Sequence, residues 1–210
     1  MACAILIVDD HVLLRKGIRS IIEKIQEVDV VTEANDGFEA IEEVRKQNVD
    51  MVLLDISMPG KDGMDTLKQL KYEFPMLKVL MLSMYPEERY AIRALKAGAA
   101  GYLEKDCQPE ELQKAVKEVI SKGKYISQTV AVALANTIDA TSTSSSYELL
   151  SDREVQVLRL LTAANTITEI SDQLNISAKT VATYKTRILE KLNLKNTAEL
   201  IRYALENNFY

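Results

Sequence analysis

Apolar side chains in the first 122 residues follow two spacings that alternate along the chain. Short runs of Val, Leu and Ile do not alternate with polar residues, which is typical of parallel strands covered on both faces. The segments between them repeat apolar residues at helical spacing, as Leu14, Ile18 and Ile21 do. The pattern predicts strands near 4–8, 28–33, 50–54, 78–82 and 100–103, and helices near 12–25, 36–47, 64–73, 87–97 and 112–120. Joined by right-handed crossovers, these units form a doubly wound, five-stranded parallel α/β sheet of the flavodoxin-like kind.

The pattern changes after residue 122. Residues 127–136 are small and apolar enough for a short helix, whereas 139–146 are polar and rich in Ser and Thr, as expected of a flexible linker. From residue 147 the apolar spacing is helical throughout. We therefore predict a first domain at 1–122, a linker with a short helix at 123–146, and a small all-α domain at 147–210.

Helix starts in the all-α domain are marked by residues that cap free backbone amides. Two pairs have capping-box spacing and a third start has a good N-cap: Ser151 with Glu154, Thr166 with Glu169, and Ser177. Only residues 175–177 separate the apolar faces of 167–174 and 181–192. This is the spacing of a helix-turn-helix.

Composition limits the class of protein and its location. Of 210 residues, 47% are hydrophobic and 27% are charged, as in ordinary globular proteins, and no apolar run is long enough for a membrane helix. The first residues lack the basic segment of a signal peptide, so we expect a cytoplasmic protein without membrane contact. Cys3 and Cys107 match no metal or redox spacing and are expected to be free thiols.

Charge is distributed unevenly along the chain. The net charge is −5, and the acidic excess lies in the first 122 residues, whereas five basic residues and one acid lie between 175 and 195. The two domains are therefore expected to have different partners.

Polar residues able to handle a phosphate follow four of the predicted strands. They are Asp9 and Asp10, Asp55, Ser83 and Lys105. Because the carboxyl ends of parallel strands meet at one edge of a sheet, three carboxylates, one hydroxyl and one ammonium are expected to converge there. Taken alone, Asp9 and Asp10 are more typical of a solvated turn or a helix start than of a metal site, and His11 is expected to begin the first helix rather than to bind a metal.

Asp55 is the most specific of these candidates. Pro59 and Gly60 turn the chain just after the strand, so that the carboxylate is held on a rigid edge. An aspartate beside Mg²⁺ is a competent nucleophile for phosphoryl transfer, and carboxylates with one backbone carbonyl suit that ion. Lys105 would then pair with the acyl phosphate as a point charge.

These residues resemble a known family. Residues 1–122 resemble the receiver domain of two-component response regulators through the Asp pair, the Asp-x-x-Met-Pro-Gly-x-x-Gly motif beginning at Asp55, Ser83, Tyr102 and Lys105. Residues 148–205 resemble the LuxR-type helix-turn-helix through Leu-Ser-Asp-Arg-Glu at 150–154, Lys-Thr-Val at 179–181 and Lys-Leu at 191–192. Together they resemble the NarL/FixJ family.

The resemblance implies roles for the residues at the strand ends. Asp55 would accept phosphate from a sensor histidine kinase. Asp10, Asp55 and the main-chain carbonyl of Ser57 would bind Mg²⁺, with Asp9 assisting through water. Ser83 would turn to bond the phosphoryl group as Tyr102 moves inward, which is the change that a two-state switch needs.

The resemblance also places a helix at about 178–192 in the major groove of double-stranded DNA. The candidate contacts are Lys179, Thr180, Ala182, Thr183, Tyr184, Lys185, Thr186 and Arg187. Lys179, Lys185 and Arg187 are expected chiefly to contact phosphates. The chain departs from the family at Ala182, where relatives often have a base-reading Lys, and at Ala164 with Asn165, where Gly is usual and where a differently shaped turn is expected.

We interpret the sequence as a transcription factor controlled by phosphorylation, and not as an enzyme. Unphosphorylated, the receiver would cover the recognition helix or the dimerising helix, and phosphorylation would free it and favour a homodimer on DNA. The last helix offers a candidate dimer stripe of Thr197, Ile201, Ala204 and Leu205, part of which must pack on its own domain. RNA polymerase is an expected partner. The alternative is a Mg²⁺-dependent phosphohydrolase that forms an aspartyl-phosphate. Phosphohydrolases resembling the haloacid dehalogenase group would need a second Asp where this chain has Ser57.

Overall fold

The chain forms two compact units, residues 1–139 and 140–210, in a computed structural model that describes residues 3–84, 87–139, 150–174 and 176–206. Both units bury apolar side chains of their own. Among the described residues, no helix is both long and apolar enough to span a bilayer.

A parallel sheet of five strands forms the centre of the described part of the first unit. The strands are β1 (Cys3–Val8), β2 (Val28–Ala34), β3 (Met51–Asp55), β4 (Lys78–Ser83) and β5 (Gly101–Glu104), in the order β2-β1-β3-β4-β5. The order reverses between β1 and β3, which is the point where open α/β sheets form a ligand crevice. The predicted fold class is confirmed.

Helices cover both faces of the sheet. They are α1 (Val12–Ile22), α2 (Gly37–Lys46), α3 (Gly63–Glu73), α4 (Glu87–Lys96) and α5 (Pro109–Lys122). Asp36 accepts hydrogen bonds from two amides of α2, and Asp62 accepts one from Asp65 of α3, so both helix starts are capped as local sequence favours. Val52, Leu53 and Leu54 are fully buried, which explains the unbroken apolar runs. Each such side chain stabilises the fold by about 1.5–3 kcal/mol.

Gly63 allows α3 to begin directly against the end of β3. A Cβ atom at this position would lie 2.0 Å from the carbonyl oxygen of Asp55 and 2.7 Å from the Cα of Ile56. Because both are backbone atoms, any side chain here would push the loop after Asp55 away from the sheet edge. The last residue of the motif thus holds the loop that carries the candidate site.

The segment predicted as a linker is divided by the structure. The predicted short helix is α6 (Gln128–Asp139), which contacts α4 and belongs to the first unit. The segment before α6 is held to the first unit by a hydrogen bond from Tyr125 N–H to the carbonyl of Ala100 at 2.9 Å, and α6 itself buries Val130. The first unit therefore extends beyond the predicted limit at 122, and all but one residue of the polar run lies outside the described residues.

The described part of the second unit consists of helices α7 (Asp152–Thr162), α8 (Ile167–Gln173), α9 (Ala178–Lys191) and α10 (Thr197–Glu206). Both predicted capping boxes are present, and Ser177 caps α9 through Thr180 N–H. Ala164 has φ 62°, the left-handed conformation that favours glycine. The chain thus keeps a glycine-like conformation at this residue, where a change of shape was expected.

Candidate phosphorylation site and nucleic-acid interface

Four of the five strand-end residues predicted to converge lie together: Asp9, Asp10, Asp55 and Lys105. Lys105 Nζ lies 2.8 Å from Asp9 Oδ2 and 2.7 Å from Asp55 Oδ2. Potential ligand atoms of Asp9, Asp10, His11 and Asp55 all lie within 4.8 Å of one another. We refer to Asp9, Asp10, Asp55 and Lys105 as the acidic edge.

Backbone amides orient the two buried carboxylates of the acidic edge. His11 N–H donates to Asp9 Oδ1 at 2.7 Å, and Ser57 N–H donates to Asp55 Oδ1 at 3.1 Å. Each aspartate thus has one oxygen held by the loop that follows it and the other beside Lys105. The carboxylates are pre-oriented, since neither can turn without losing a hydrogen bond.

Burial dominates the electrostatics of Asp55. The side chain is 1% exposed, and burial raises the pKa of its carboxyl to about 6, with a smaller contribution from neighbouring Asp9. Lys105 and the Ser57 amide act in the opposite direction by stabilising the ionised form. A second positive charge at this edge would therefore stabilise the ionised carboxylates further.

The donor set fits Mg²⁺. Three carboxylates face one lysine, which leaves negative charge for a cation, and carboxylate oxygen is the ligand atom that Mg²⁺ prefers. His11 is the N-cap of α1, as predicted, but its Nδ1 also lies 2.9 Å from Asp10 Oδ1, a contact that sequence reasoning missed. Because Mg²⁺ does not favour imidazole, we regard His11 as a partner of Asp10 and not as a ligand.

The two predicted switch residues lie near the same edge of the sheet. Ser83 is fully buried at the end of β4, and its carbonyl accepts a hydrogen bond from Lys105 N–H at 2.8 Å. Tyr102 lies on β5 beside Met81 and is 1% exposed. The Tyr102 side chain is therefore buried in this structure.

Arg15 supports the acidic edge and was missed by sequence reasoning. This buried residue of α1 donates from Nη1 to the carbonyl of Asp9 at 2.5 Å and from Nε to Glu33 at 2.7 Å. Hydrogen bonds from Arg15 and then from Arg19 hold the pKa of Glu33 below its usual value. The sequence could have indicated that Arg15 is buried, because Arg15 lies three residues before Ile18 and therefore beside the buried stripe of α1.

Helix α9 presents four of the eight predicted DNA contacts on the side opposite its buried residues. Val181 and Ile188 are buried and fix the orientation of the helix in its unit. The residues on the opposite side, Lys179, Ala182, Thr183 and Thr186, are exposed, and we call them the outward face of α9. A hollow of about 320 Å³ beside it is lined by Ser177, Lys179, Thr180, Thr183, Tyr184 and Arg187. The structure thus brings five of the eight predicted contacts to one hollow and leaves Ala182, Lys185 and Thr186 outside it.

An ion pair ties the end of α9 to the start of α7. Lys191 Nζ lies 2.7 Å from Glu154 Oε2, and Glu154 is 2% exposed. Burial alone would raise the pKa of Glu154, but hydrogen bonds from Lys191 and Ser151 together outweigh it and lower the pKa. Lys191 therefore belongs to the packing of the unit, although its charge contributed to the predicted basic segment.

The stripe predicted on the last helix is smaller than expected. Ala204 is buried with Leu200 in the second unit, whereas Ile201 is 36% and Leu205 58% exposed. The inclusion of Ala204 in an exposed stripe was wrong, because this side of α10 packs on its own unit. Ile201 and Leu205 remain as the exposed apolar pair of α10.

Comparisons with known proteins agree with both halves of this description. The family model of the response regulator receiver domain matches residues 5–117, and that of the luxR family of bacterial regulatory proteins matches residues 148–204.

Two relatives are similar over nearly the whole length of both chains. Response regulator UvrY of Escherichia coli (strain K12) is 38% identical over 204 residues, which cover 97% of this chain and 94% of UvrY. Oxygen regulatory protein NreC of Staphylococcus carnosus (strain TM300) is 37% identical over 209 residues, which cover 96% of each chain.

Solved structures of RcsB are similar over nearly the whole chain. RcsB from Salmonella enterica serovar Typhimurium, bound to promoter rprA in the presence of the phosphomimetic BeF3⁻, has a TM-score of 0.67 and 29% identity, covering 97% of this chain and 98% of RcsB. Another Salmonella typhimurium RcsB structure has a TM-score of 0.70 and 31% identity, covering 96% of both chains. The chain belongs to the NarL/FixJ family of two-component response regulators, with a receiver domain followed by a LuxR-type helix-turn-helix.

Proposed function

We propose that the chain is a cytoplasmic transcription factor whose DNA binding is controlled by phosphorylation of Asp55 by a sensor histidine kinase. The observation that carries the proposal is the contact of Lys105 with both Asp9 and Asp55 in a chain that also exposes α9. The structure of RcsB on promoter rprA with BeF3⁻ supports the pairing of a phosphorylated receiver with DNA binding.

In the proposed site, Asp10, Asp55 and the main-chain carbonyl of Ser57 hold Mg²⁺, and Asp9 assists through water. The bound ion supplies charge that neutralises phosphoryl oxygens as they approach. Asp55 provides the nucleophilic carboxylate, which Ser57 N–H orients. Lys105 exchanges its contact with one carboxylate for a contact with the phosphoryl group, which keeps the lysine charge paired throughout.

Transmission is proposed to run along the neighbouring strands. Ser83 is the last residue of β4 and its carbonyl accepts a hydrogen bond from Lys105 N–H, so a movement of Lys105 reaches β4 directly. The Ser83 hydroxyl bonds the phosphoryl group, and this state favours an inward position of Tyr102, whose side chain is buried in this structure. Without phosphate, Tyr102 samples an outward position, and the equilibrium between the two positions is the switch.

The output is proposed to be a dimer on DNA. Two copies pair through a surface that includes Ile201 and Leu205, which are apolar and exposed on α10. Each copy then places α9 in the major groove of one half-site, where Lys179, Lys185 and Arg187 contact phosphates. In the unphosphorylated protein the receiver withholds the reading helix or the dimer surface, and on promoters the dimer contacts RNA polymerase.

Phosphate stoichiometry tests this proposal against a phosphohydrolase. The full chain is incubated with Mg²⁺ and radiolabelled acetyl phosphate, and bound and released phosphate are counted. A switch holds up to one phosphate per chain and releases it slowly, whereas an enzyme releases many per chain.

Matched variants identify the acceptor in the same assay. Asp55→Asn is expected to take up no phosphate, while Asp29→Asn, the same change at an exposed aspartate near the start of β2, is expected to behave as the wild type. Uptake by Asp55→Asn equal to the wild type would show that Asp55 is not the acceptor.

A further inference from the structure

The outward face of α9 has an unusual composition for a surface that meets DNA. Its residues follow the spacing i, i+3, i+4 and i+7, so that they form one line on the side opposite the buried Val181 and Ile188. Between Lys179 at its start and the exposed Glu190 one turn beyond Thr186, the line contains Ala182, Thr183 and Thr186. All three are exposed and none is charged.

The two threonines already use their hydroxyl protons inside the helix. Thr183 Oγ1 donates to the carbonyl of Lys179 at 2.9 Å, and Thr186 Oγ1 donates to the carbonyl of Ala182 at 3.1 Å. Neither hydroxyl is therefore available as a donor to guanine or thymine oxygen. The groups left for a partner are the two threonine methyls, the methyl of Ala182 and the acceptor lone pairs of the two threonine oxygens.

The charged side chains of α9 lie to either side of this line. Lys185 is partly buried on one flank, and Arg187 lines the hollow on the other, together with the hydroxyl groups of Thr180 and Tyr184. With the outward face towards the groove floor, these flanks face the two phosphate strands, because the groove walls are the sugar–phosphate backbones. The charged side chains thus position the helix on the phosphate backbone. The small apolar side chains between them face the base edges.

Among the four bases, only thymine presents a methyl group in the major groove. We propose that Ala182, Thr183 and Thr186 form a methyl-binding patch that selects thymine at neighbouring positions of each half-site. This inference rests on the proposed DNA binding and adds the base class that α9 reads. An apolar patch gains from contact with the thymine C5-methyl because both surfaces leave water.

Uracil provides a direct probe, since it pairs as thymine does but lacks the C5-methyl. The full chain with BeF3⁻ and Mg²⁺ first selects duplexes from a random-sequence pool. Thymines of the recovered duplex are then replaced by deoxyuracil, one at a time, and affinity is measured by fluorescence anisotropy. Replacement at the contacted positions is expected to weaken binding by about fourfold for each methyl, as expected from the transfer free energy of one such group.

Variants locate the effect on the patch. The double variant Thr183→Ser, Thr186→Ser keeps both hydroxyls and removes both methyls, so it should bind the thymine duplex as weakly as the wild type binds the uracil duplex. Replacing thymine by deoxyuracil at the positions contacted by residues 183 and 186 should not weaken the binding of this variant any further. Thr162→Ser is the matched control, because Thr162 of α7 also donates to a helix carbonyl, that of Arg159, and does not belong to the outward face of α9.

The outcomes separate the two proposals. If a duplex is selected and bound but no deoxyuracil replacement weakens binding, the methyl patch is wrong while DNA binding stands. Selected half-sites in which adenine or cytosine amino groups, and not thymine methyls, meet the patch would also overturn it, since the threonine oxygens would then be acting as acceptors. If no duplex is selected, the proposed function fails, and the inference fails with it.

Discussion

The acidic edge and the outward face of α9 differ in how their polar groups are held. Asp9, Asp55 and Lys105 are buried among strand ends, and each is tied by contacts of 2.7–2.8 Å. Thr183 and Thr186 are exposed on one helix, and each hydroxyl donates to a carbonyl of that same helix. In the buried site each side chain depends on the charge or hydrogen bond of its neighbours, whereas the exposed face can change residue by residue without loss of the fold. Substitution of any one residue of the acidic edge is thus expected to abolish control by phosphate. Substitutions on the outward face of α9 should instead change DNA affinity in smaller steps.

Removing Lys105 should show the largest effect. Lys105→Met leaves Asp9 and Asp55 buried together without their counter-charge, and we expect the first unit to lose about 3 kcal/mol of unfolding free energy at pH 7. Urea unfolding of the full chain in metal-free buffer measures the loss. Lys117→Met, at an exposed lysine of α5, is the control and should leave the midpoint nearly unchanged. Equal midpoints for the two variants would mean that the acidic edge does not depend on its lysine.

Arg15 sharpens the comparison, because it belongs to the support of the buried site. Arg15→Met removes the donor to the Asp9 carbonyl and one donor to Glu33, and should cost about 2 kcal/mol. It should also slow phosphate uptake from acetyl phosphate. Arg19→Met removes another donor to the same Glu33 without touching Asp9, and should affect both measurements less. The idea fails if Arg19→Met slows uptake as much as Arg15→Met.

Glu154 is the buried group of the second unit, and its effect should depend on pH. Glu154→Gln weakens the tie to Lys191, at a cost of about 1.5 kcal/mol at pH 7, reduced by the exposure of the lysine. Because the folded-state pKa lies below the ordinary 4.5, this stability is present above that value and is lost as the pH falls through the folded-state pKa. The difference in unfolding free energy between the wild type and Glu154→Gln should therefore become smaller towards pH 3.

Methyl NMR of Val181 and Ile188 during urea unfolding reports the second unit separately. Glu169→Gln is the matched control, since Glu169 completes a capping box but no cross-helix ion pair with it is found among the described residues. A constant gap between wild type and Glu154→Gln at every pH would show that the Glu154 charge is not responsible.

Ala164 should show the smallest effect, with the opposite sign. Its φ of 62° is unfavourable for a residue with a side chain, so Ala164→Gly is expected to stabilise the second unit by about 1 kcal/mol. The neighbouring Ala163 has φ −77°, and Ala163→Gly should destabilise instead. Thermal melting of both variants measures these changes in stability. A loss of stability in Ala164→Gly would contradict the claim that the backbone at Ala164 is strained.

The sequence predicted those parts of the molecule that depend on the spacing of apolar residues and on the order of strands and helices along the chain. The unbroken apolar run before Asp55 indicated a buried parallel strand, and parallel strands necessarily end at one edge, so the meeting of Asp9, Asp55 and Lys105 followed from the order of elements. The two capping boxes were found because their partners are three residues apart.

Contacts between residues distant in the chain escaped prediction. Arg15 and Glu33 are 18 residues apart, and Glu154 and Lys191 are 37 apart, so no local spacing joins either pair. Ala204 was misassigned because a helical stripe does not reveal which part of it packs on its own unit. The assignment of α6 to the first unit depends on Tyr125 meeting Ala100, a contact made only after the sheet has formed.

The central claim is that charge at Asp55 controls DNA binding by α9. The most direct test measures the affinity of the full chain for its selected duplex with Mg²⁺, before and after addition of BeF3⁻, for the wild type, Asp55→Asn and Asp29→Asn. The account predicts at least tenfold tighter binding after BeF3⁻ for the wild type and Asp29→Asn, a coupling of about 1.4 kcal/mol or more, and no change for Asp55→Asn. Equal affinities in all three proteins, with and without BeF3⁻, would contradict it.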